Sequence, residues 1–217
     1  MEKNSKNSFL SASISGNFGD IGGGFPIYKS VFSGQSLTIR LFNLRLHGNI
    51  IFDWVNQPYA LKYWNENGTY KPFIDFYARR QLEKPEIYFI MFLNDRAVGF
   101  CKVYQAIEDE IAQFIDVGNN DYGIHLLAAP PKTLIEVAGK DAKLLSKKIL
   151  LLILELLFTV GDVNNVYAEP DVLNIPARRL AERVGFSFIR EIEMSYKRAS
   201  LYCIKNEDFL KNVQSKS

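Results

Sequence analysis

The apolar run ILLLILELLF, Ile149 to Phe158, constrains this chain most. It is too short to cross a bilayer and is broken by Glu155, so it suits a buried helix. With the preceding KDAKLLSKK it has the length and residue types of one long helix. The flanking segments supply what such a helix packs against. YGIHLLAA before it and VNNVYAE after it read as strands, NIPARRLAERVGF as an amphipathic helix, and FSFIREIEMSYKRASLYCI as a closing strand pair.

The first half has a different grammar. SASISGNFG, IYKSVF and LTIRLFNLRL read as short strands, separated by the glycine-rich corner DIGGGFP and the turn SGQS. Gly22, Gly23 and Gly24 resemble a phosphate loop only in composition, since no Lys-Ser/Thr follows them. Residues 47–84 carry Trp54 and Trp64 among helix-compatible spacings, and IYFIMFL and AVGFCKVYQA form a hairpin through NDR. A β meander followed by alternating strands and helices predicts an α/β fold, a mixed sheet with helices on both faces. No Pro/Gly/Ser-rich linker divides the 217 residues, which suits a single domain over 1–217.

Composition excludes several classes of function. A net charge of +2 gives no field suited to nucleic acid. Cys101 and Cys203 lack metal or disulfide-framework spacing, and His47 and His125 are too far apart in the sequence to suggest a metal site. The start MEKNSKNSFLSASISGNFGD has no continuous apolar core, so no secretory signal is read there, no membrane partner is expected, and a cytoplasmic protein is.

NIPARRLAERVGF fits N-x-x-A-x-x-L-x-x-x-x-G-F through Asn174, Ala177, Leu180, Gly185 and Phe186. This resembles the last helix-strand unit of the GCN5-related N-acetyltransferases. FDWVNQPYALKYW, DYGIHLLAAPP and EPDVLN occur in the order of that superfamily's siderophore-biosynthesis branch, the aerobactin-type hydroxylysine acetyltransferases and mycobactin lysine acyltransferases. The resemblance covers about Leu37 to Phe209 and makes residues 1–36 a variable β-rich extension. It implies a sheet splayed open between two parallel strands, acetyl-CoA or another acyl-CoA as co-substrate without a metal, and transfer of the acyl group to a small-molecule amine or hydroxylamine.

By the same resemblance His125 and Asp171 are the catalytic residues, with the histidine taking a proton and the carboxylate orienting it or the acceptor. Read without it, His125 suits a hydrogen-bonded core position and Asp171 a helix-start acceptor. Glu169 has no role beyond shaping the site. Asn174, the backbone near Leu127 and Ala128, and the turn at Gly139, Lys140 and Lys143 are expected to hold CoA, while Trp54 and Trp64 wall the acceptor channel. Two departures stand out: Ala181 replaces the tyrosine that protonates the thiolate in many relatives, and Asp141 replaces a glycine of the pyrophosphate turn. The expected activity is acetylation of the N6-hydroxyl nitrogen of hydroxylysine, or of a related hydroxylated diamine, to a hydroxamate. Aminoglycoside acetylation and a non-catalytic binding module are the alternatives.

Overall fold

The computed structural model describes residues 24–64, 66–83, 86–160 and 162–214. The expected strand SASISGNFG and the corner at Gly22 and Gly23 lie outside these. Among the described residues eight strands form one sheet in the order β1-β2-β3-β4-β5-β6-β8-β7. They are β1 (Pro26–Phe32), β2 (Gln35–Leu41), β3 (Glu86–Leu93), β4 (Arg96–Gln105), β5 (Asp121–Ala128), β6 (Asn165–Ala168), β7 (Ser187–Met194) and β8 (Lys197–Lys205). Every neighbouring pair is antiparallel except β5 and β6. The helices are α1 (Leu44–Val55), α2 (Pro58–Leu61), α3 (Tyr70–Glu83), α4 (Pro131–Ala138), α5 (Ala142–Val160), α6 (Ile175–Val184) and α7 (Asn206–Gln214).

Strand alternation sorts the cover of the two faces. On β4, Phe100 points toward the first helices, where it meets Phe42, Trp64 and Tyr77 in ring contacts. Gly99 points the other way, and a Cβ added there would lie 3.5 Å from Ile149 of α5. The mixed sheet with helices on both faces is therefore as expected. The apolar run of α5 is buried at Ile149, Leu150 and Leu152–Leu154, and again at Leu156–Phe158, which accounts for a sequence with almost no polar side. No described helix is long and apolar enough to cross a membrane.

Two local expectations are corrected. The strand read through LTIRLFNLRL ends at Leu41, because the Asn43 side chain accepts from the Arg45 and Leu46 amides and starts α1. The loop read after Pro130 contains α4, which has Pro131 at its first position, where a missing N–H costs no helical bond. α6 begins and ends as its sequence dictates. Asn174 Oδ1 accepts from Ala177 N at 3.2 Å, and Gly185 closes the helix in the left-handed region at φ 111°.

Candidate active site

β5 and β6 pair only at Asp121–Asn165, Tyr122–Val166 and Gly123–Tyr167. Beyond Gly123 they part, and a cavity of about 570 Å³ lies at the opening. Alternation along β5 divides its lining. His125 shares a face with Lys102, its cross-strand partner on β4, beneath Trp64 and α3 residues Phe76 and Arg80. Ile124 and Leu126 face oppositely, toward Leu150 of α5, and with Ala177, Leu180, Ala181 and Phe186 they make an apolar half. His125 therefore stands where the two halves meet.

The parallel register also decides which acid reaches it. Gly123 is level with Tyr167, so two residues further His125 is level with Glu169 and on the same face. Glu169 is 2% exposed, and its carboxylate is bonded to His125 Nε2 through Oε1. Its Oε2 accepts from the Tyr104 hydroxyl at 2.8 Å, and the Lys197 ammonium lies 3.6 Å from Oε1 while donating to the Glu169 carbonyl. Burial raises the carboxyl pKa, but His125, Lys197 and the Tyr104 hydroxyl outweigh it and hold the acid well below the usual carboxylate range. An ionised Glu169 only accepts, so Nε2 carries the shared proton and Nδ1 is the nitrogen left to receive another.

Gly123 makes this arrangement possible. A side chain there would collide with the Tyr104 ring, which crosses β5 at that point to reach Glu169. Tyr104 also packs against His125, with ring centroids 5.2 Å apart, and Trp64 approaches the same imidazole at 6.3 Å. The ring is thus fixed by edge contacts as well as by its hydrogen bond.

The fold around this gap has counterparts among known proteins. Residues 44–194 match the model of the acetyltransferase (GNAT) domain. The chain belongs to the GNAT acetyltransferases. This makes it an acetyl-CoA-dependent N-acyltransferase by family. The N-hydroxyputrescine acetyltransferase of Acinetobacter baumannii is 20% identical over 161 residues, 74% of each chain. The N(6)-hydroxylysine O-acetyltransferase of Escherichia coli is 24% identical over 160 residues, 74% of this chain and 49% of that protein, so the match spans about half of that relative's length. Among solved structures, an uncharacterised Bacillus halodurans protein shares the fold at a TM-score of 0.77 and 22% identity, over 87% of this chain and 94% of that one. The aminoglycoside acetyltransferase AAC(6')-Ib in complex with coenzyme A does so at 0.70 and 20%, over 82% and 99%.

Against this GNAT framework the expected site residues divide into groups. His125, Asp171, Asn174 and Trp64 all line the cavity. Asp171 sits at its rim, where Oδ1 accepts from Leu173 N at 2.8 Å, and Trp64 donates to Glu66 at 2.8 Å. Trp54 does not line it: at 6% exposure it belongs to the core, a correction that follows from its place on the inner face of α1. Leu127 is buried and Ala128 half-buried on the stretch of β5 beyond its pairing with β6, and the Ala128 carbonyl accepts from Tyr59 at 2.8 Å. Gly139, Lys140 and Lys143 are exposed at the turn into α5, outside the cavity lining. Asp141 beside them is held by Ser33 Oγ at 2.6 Å.

Sequence reasoning missed Glu169, Tyr104 and Lys197. Pairing DYG with NVY as adjacent parallel strands would have found Glu169, since both His125 and Glu169 lie two residues beyond that pairing. His47, the other histidine, is a structural residue: Nδ1 accepts from Asn43 N at 3.0 Å, and burial, then Arg40, lowers its pKa. Among the described residues no group of three or more His, Cys, Asp or Glu is placed to hold a metal.

Proposed function

We propose that the protein acetylates the nitrogen of a hydroxylated primary amine, such as N6-hydroxylysine, to form a hydroxamate for siderophore assembly. The observation that carries this reading is the His125–Glu169 pair at the boundary between an apolar half-cavity and one lined by charged and aromatic groups. The apolar half suits the thioester arm. Beyond Gly123 the β6-facing edge of β5 has no strand partner among the described residues, so backbone groups near Leu127 and Ala128, apart from the Ala128 carbonyl that accepts from Tyr59, would meet the amides of that arm. Gly139, Lys140, Lys143 and the start of α5 would meet the pyrophosphate, aided by backbone N–H groups there and opposed by the charge of Asp141. Asn174 would add its side-chain amide N–H, because its oxygen already caps α6.

On the other side, the acceptor nitrogen approaches the thioester carbon above His125. A hydroxylamine is less basic than an ordinary amine and so arrives uncharged. As its lone pair forms the N–C bond, its proton passes to His125 Nδ1, and Glu169 stabilises the imidazolium that results. Collapse of the tetrahedral adduct breaks the C–S bond. With Ala181 in the usual tyrosine position, the thiolate leaves without a hydroxyl from that residue. Trp64 would wall the acceptor chain, and Asp171 at the rim would bind its far end.

The names of the two relatives support a hydroxylamine acceptor, and one specifies transfer to oxygen, which a hydroxylamine also offers. Aminoglycoside acetylation has one structural feature in its favour: Glu66, Asp109 and Asp171 all line the cavity, as a polycation would require. Arg80, Lys102 and Lys197 in the same lining oppose it. The deciding experiment measures thiol release from acetyl-CoA with N6-hydroxylysine, lysine and an aminoglycoside, and assays the product for a coloured ferric hydroxamate. Colour with the hydroxylamine alone supports the reading. Thiol release without colour assigns acylation to oxygen, and release with the aminoglycoside alone overturns the proposal.

A further inference from the structure

Lys102 is the cation of the acceptor half that the fold leaves uncommitted. It lies between Tyr88 on β3 and His125 on β5 in cross-strand register, and it lines the cavity. The other two cations of the lining have partners. Arg80 is paired with Glu86, and Lys197 with Glu169. Lys102 makes no ion pair among the described residues, and its Nζ lies 5.8 Å from the centre of the Tyr104 ring.

The acids nearby are already engaged. Glu86 accepts from Arg80 and Tyr88, Glu66 from Trp64 and Tyr77, and Glu169 from His125 and Tyr104. Asp109 uses Oδ1 to accept from Ile111 N at 3.2 Å, closing its own turn. A half-buried ammonium has lost part of its hydration, and although Glu86 and Asp109 feel its charge, it has no direct partner among the described residues. An incoming anion would supply one. Register places the base of Lys102 about 5 Å from that of His125, and its side chain carries the charge onward along the cavity. In a lysine-length acceptor the carboxylate is likewise separated from the reacting nitrogen by one side chain.

We propose that Lys102 binds a carboxylate on the acceptor, so that the substrate is a hydroxylated amino acid and not a hydroxylated diamine. This rests on the hydroxylamine reading above and would set the protein apart from the relative named for N-hydroxyputrescine. Two acceptors that differ only in the carboxylate, N6-hydroxylysine and N-hydroxycadaverine, test it. Wild type should favour the amino acid by at least about tenfold in kcat/KM, the scale of one charge-assisted hydrogen bond. In Lys102→Met the ratio should collapse towards one, and Lys102→Arg should keep most of the preference. Equal use of both acceptors by wild type, or a preference that survives Lys102→Met, overturns the assignment. Turnover of neither acceptor by folded protein that binds acetyl-CoA would instead overturn the hydroxylamine reading, and this inference with it.

Discussion

Two acidic turns precede helices, one lining the cleft and one outside it, and the fold treats them oppositely. At Glu169-Pro170-Asp171 the chain leaves β6, and the first acid is drawn inward, where an imidazole, a phenol and an ammonium converge on it. At Gly139-Lys140-Asp141 the chain enters α5, and the acid turns toward the β1–β2 hairpin and Ser33. One carboxylate has become part of a buried polar network. The other is a surface charge with one hydrogen bond. Their sequence contexts, an acid next to a helix start, are similar, so the difference comes from register. Position 169 continues a parallel ladder past its last pair, whereas position 141 lies in a 3-10 turn that belongs to no ladder.

Substitution at Glu169 should have the largest effect on this contrast. Glu169→Ala leaves Lys197 without its counter-ion and the Tyr104 hydroxyl without its acceptor, a loss of about 3–5 kcal/mol in unfolding free energy. Glu169→Gln keeps the shape and removes the charge. The native pKa lies below the ordinary value of 4.5, so the unfolded chain takes up the proton first. The stabilisation is complete above about pH 4.5 and drains away as pH falls from there through the native value. Urea midpoints of wild type and Glu169→Gln should therefore differ most near neutrality and converge in acid. A gap that widens in acid would place the ionised carboxylate outside the network.

His125→Ala should lower turnover by about 10²–10⁴-fold, the range of a general base, while acetyl-CoA binding measured by calorimetry stays close to wild type. Equal loss of binding would make His125 a packing residue of β5. A smaller effect is expected for Asp171→Asn. Its Oδ1 already serves the Leu173 amide, a role asparagine can fill, so kcat should fall less than about tenfold and KM for the acceptor should carry most of the change. Asp141→Ala should give the smallest effect. Removing a charge that repels the pyrophosphate and offsets the positive α5 N-terminus is worth about 0.3–1 kcal/mol, read as a severalfold lower KM for acetyl-CoA at low salt. A rise in KM would show that Asp141 contributes to CoA binding after all.

Much of the scaffold was legible because its signals are local. The apolar run of α5, the Asn174 and Gly185 ends of α6 and the hairpin grammar of β3 and β4 each depend on neighbours in sequence. α4 was obscured because Pro130 and Pro131 read as the end of a strand, although the second of them also begins a helix. Within the site, His125 stood out through the family resemblance and not by residue type, while Glu169 was overshadowed by Asp171, which sits nearer the helix. Tyr104 and Lys197 reach Glu169 from strands far away in sequence, and Tyr104 does so only because Gly123 leaves room. No periodicity or spacing within one segment encodes that meeting.

The central claim, that Glu169 and not Asp171 is the carboxylate acting through His125, is tested most directly by ferric-hydroxamate formation from acetyl-CoA and N6-hydroxylysine. Wild type, Glu169→Gln and Asp171→Asn would be compared across pH, with folding checked for each by circular dichroism. The account predicts that Glu169→Gln loses about 10²-fold or more in kcat, the lower range for general base catalysis. Asp171→Asn should keep the wild-type profile. A folded Glu169→Gln enzyme with the wild-type rate and pH profile, beside a silent Asp171→Asn, would contradict it.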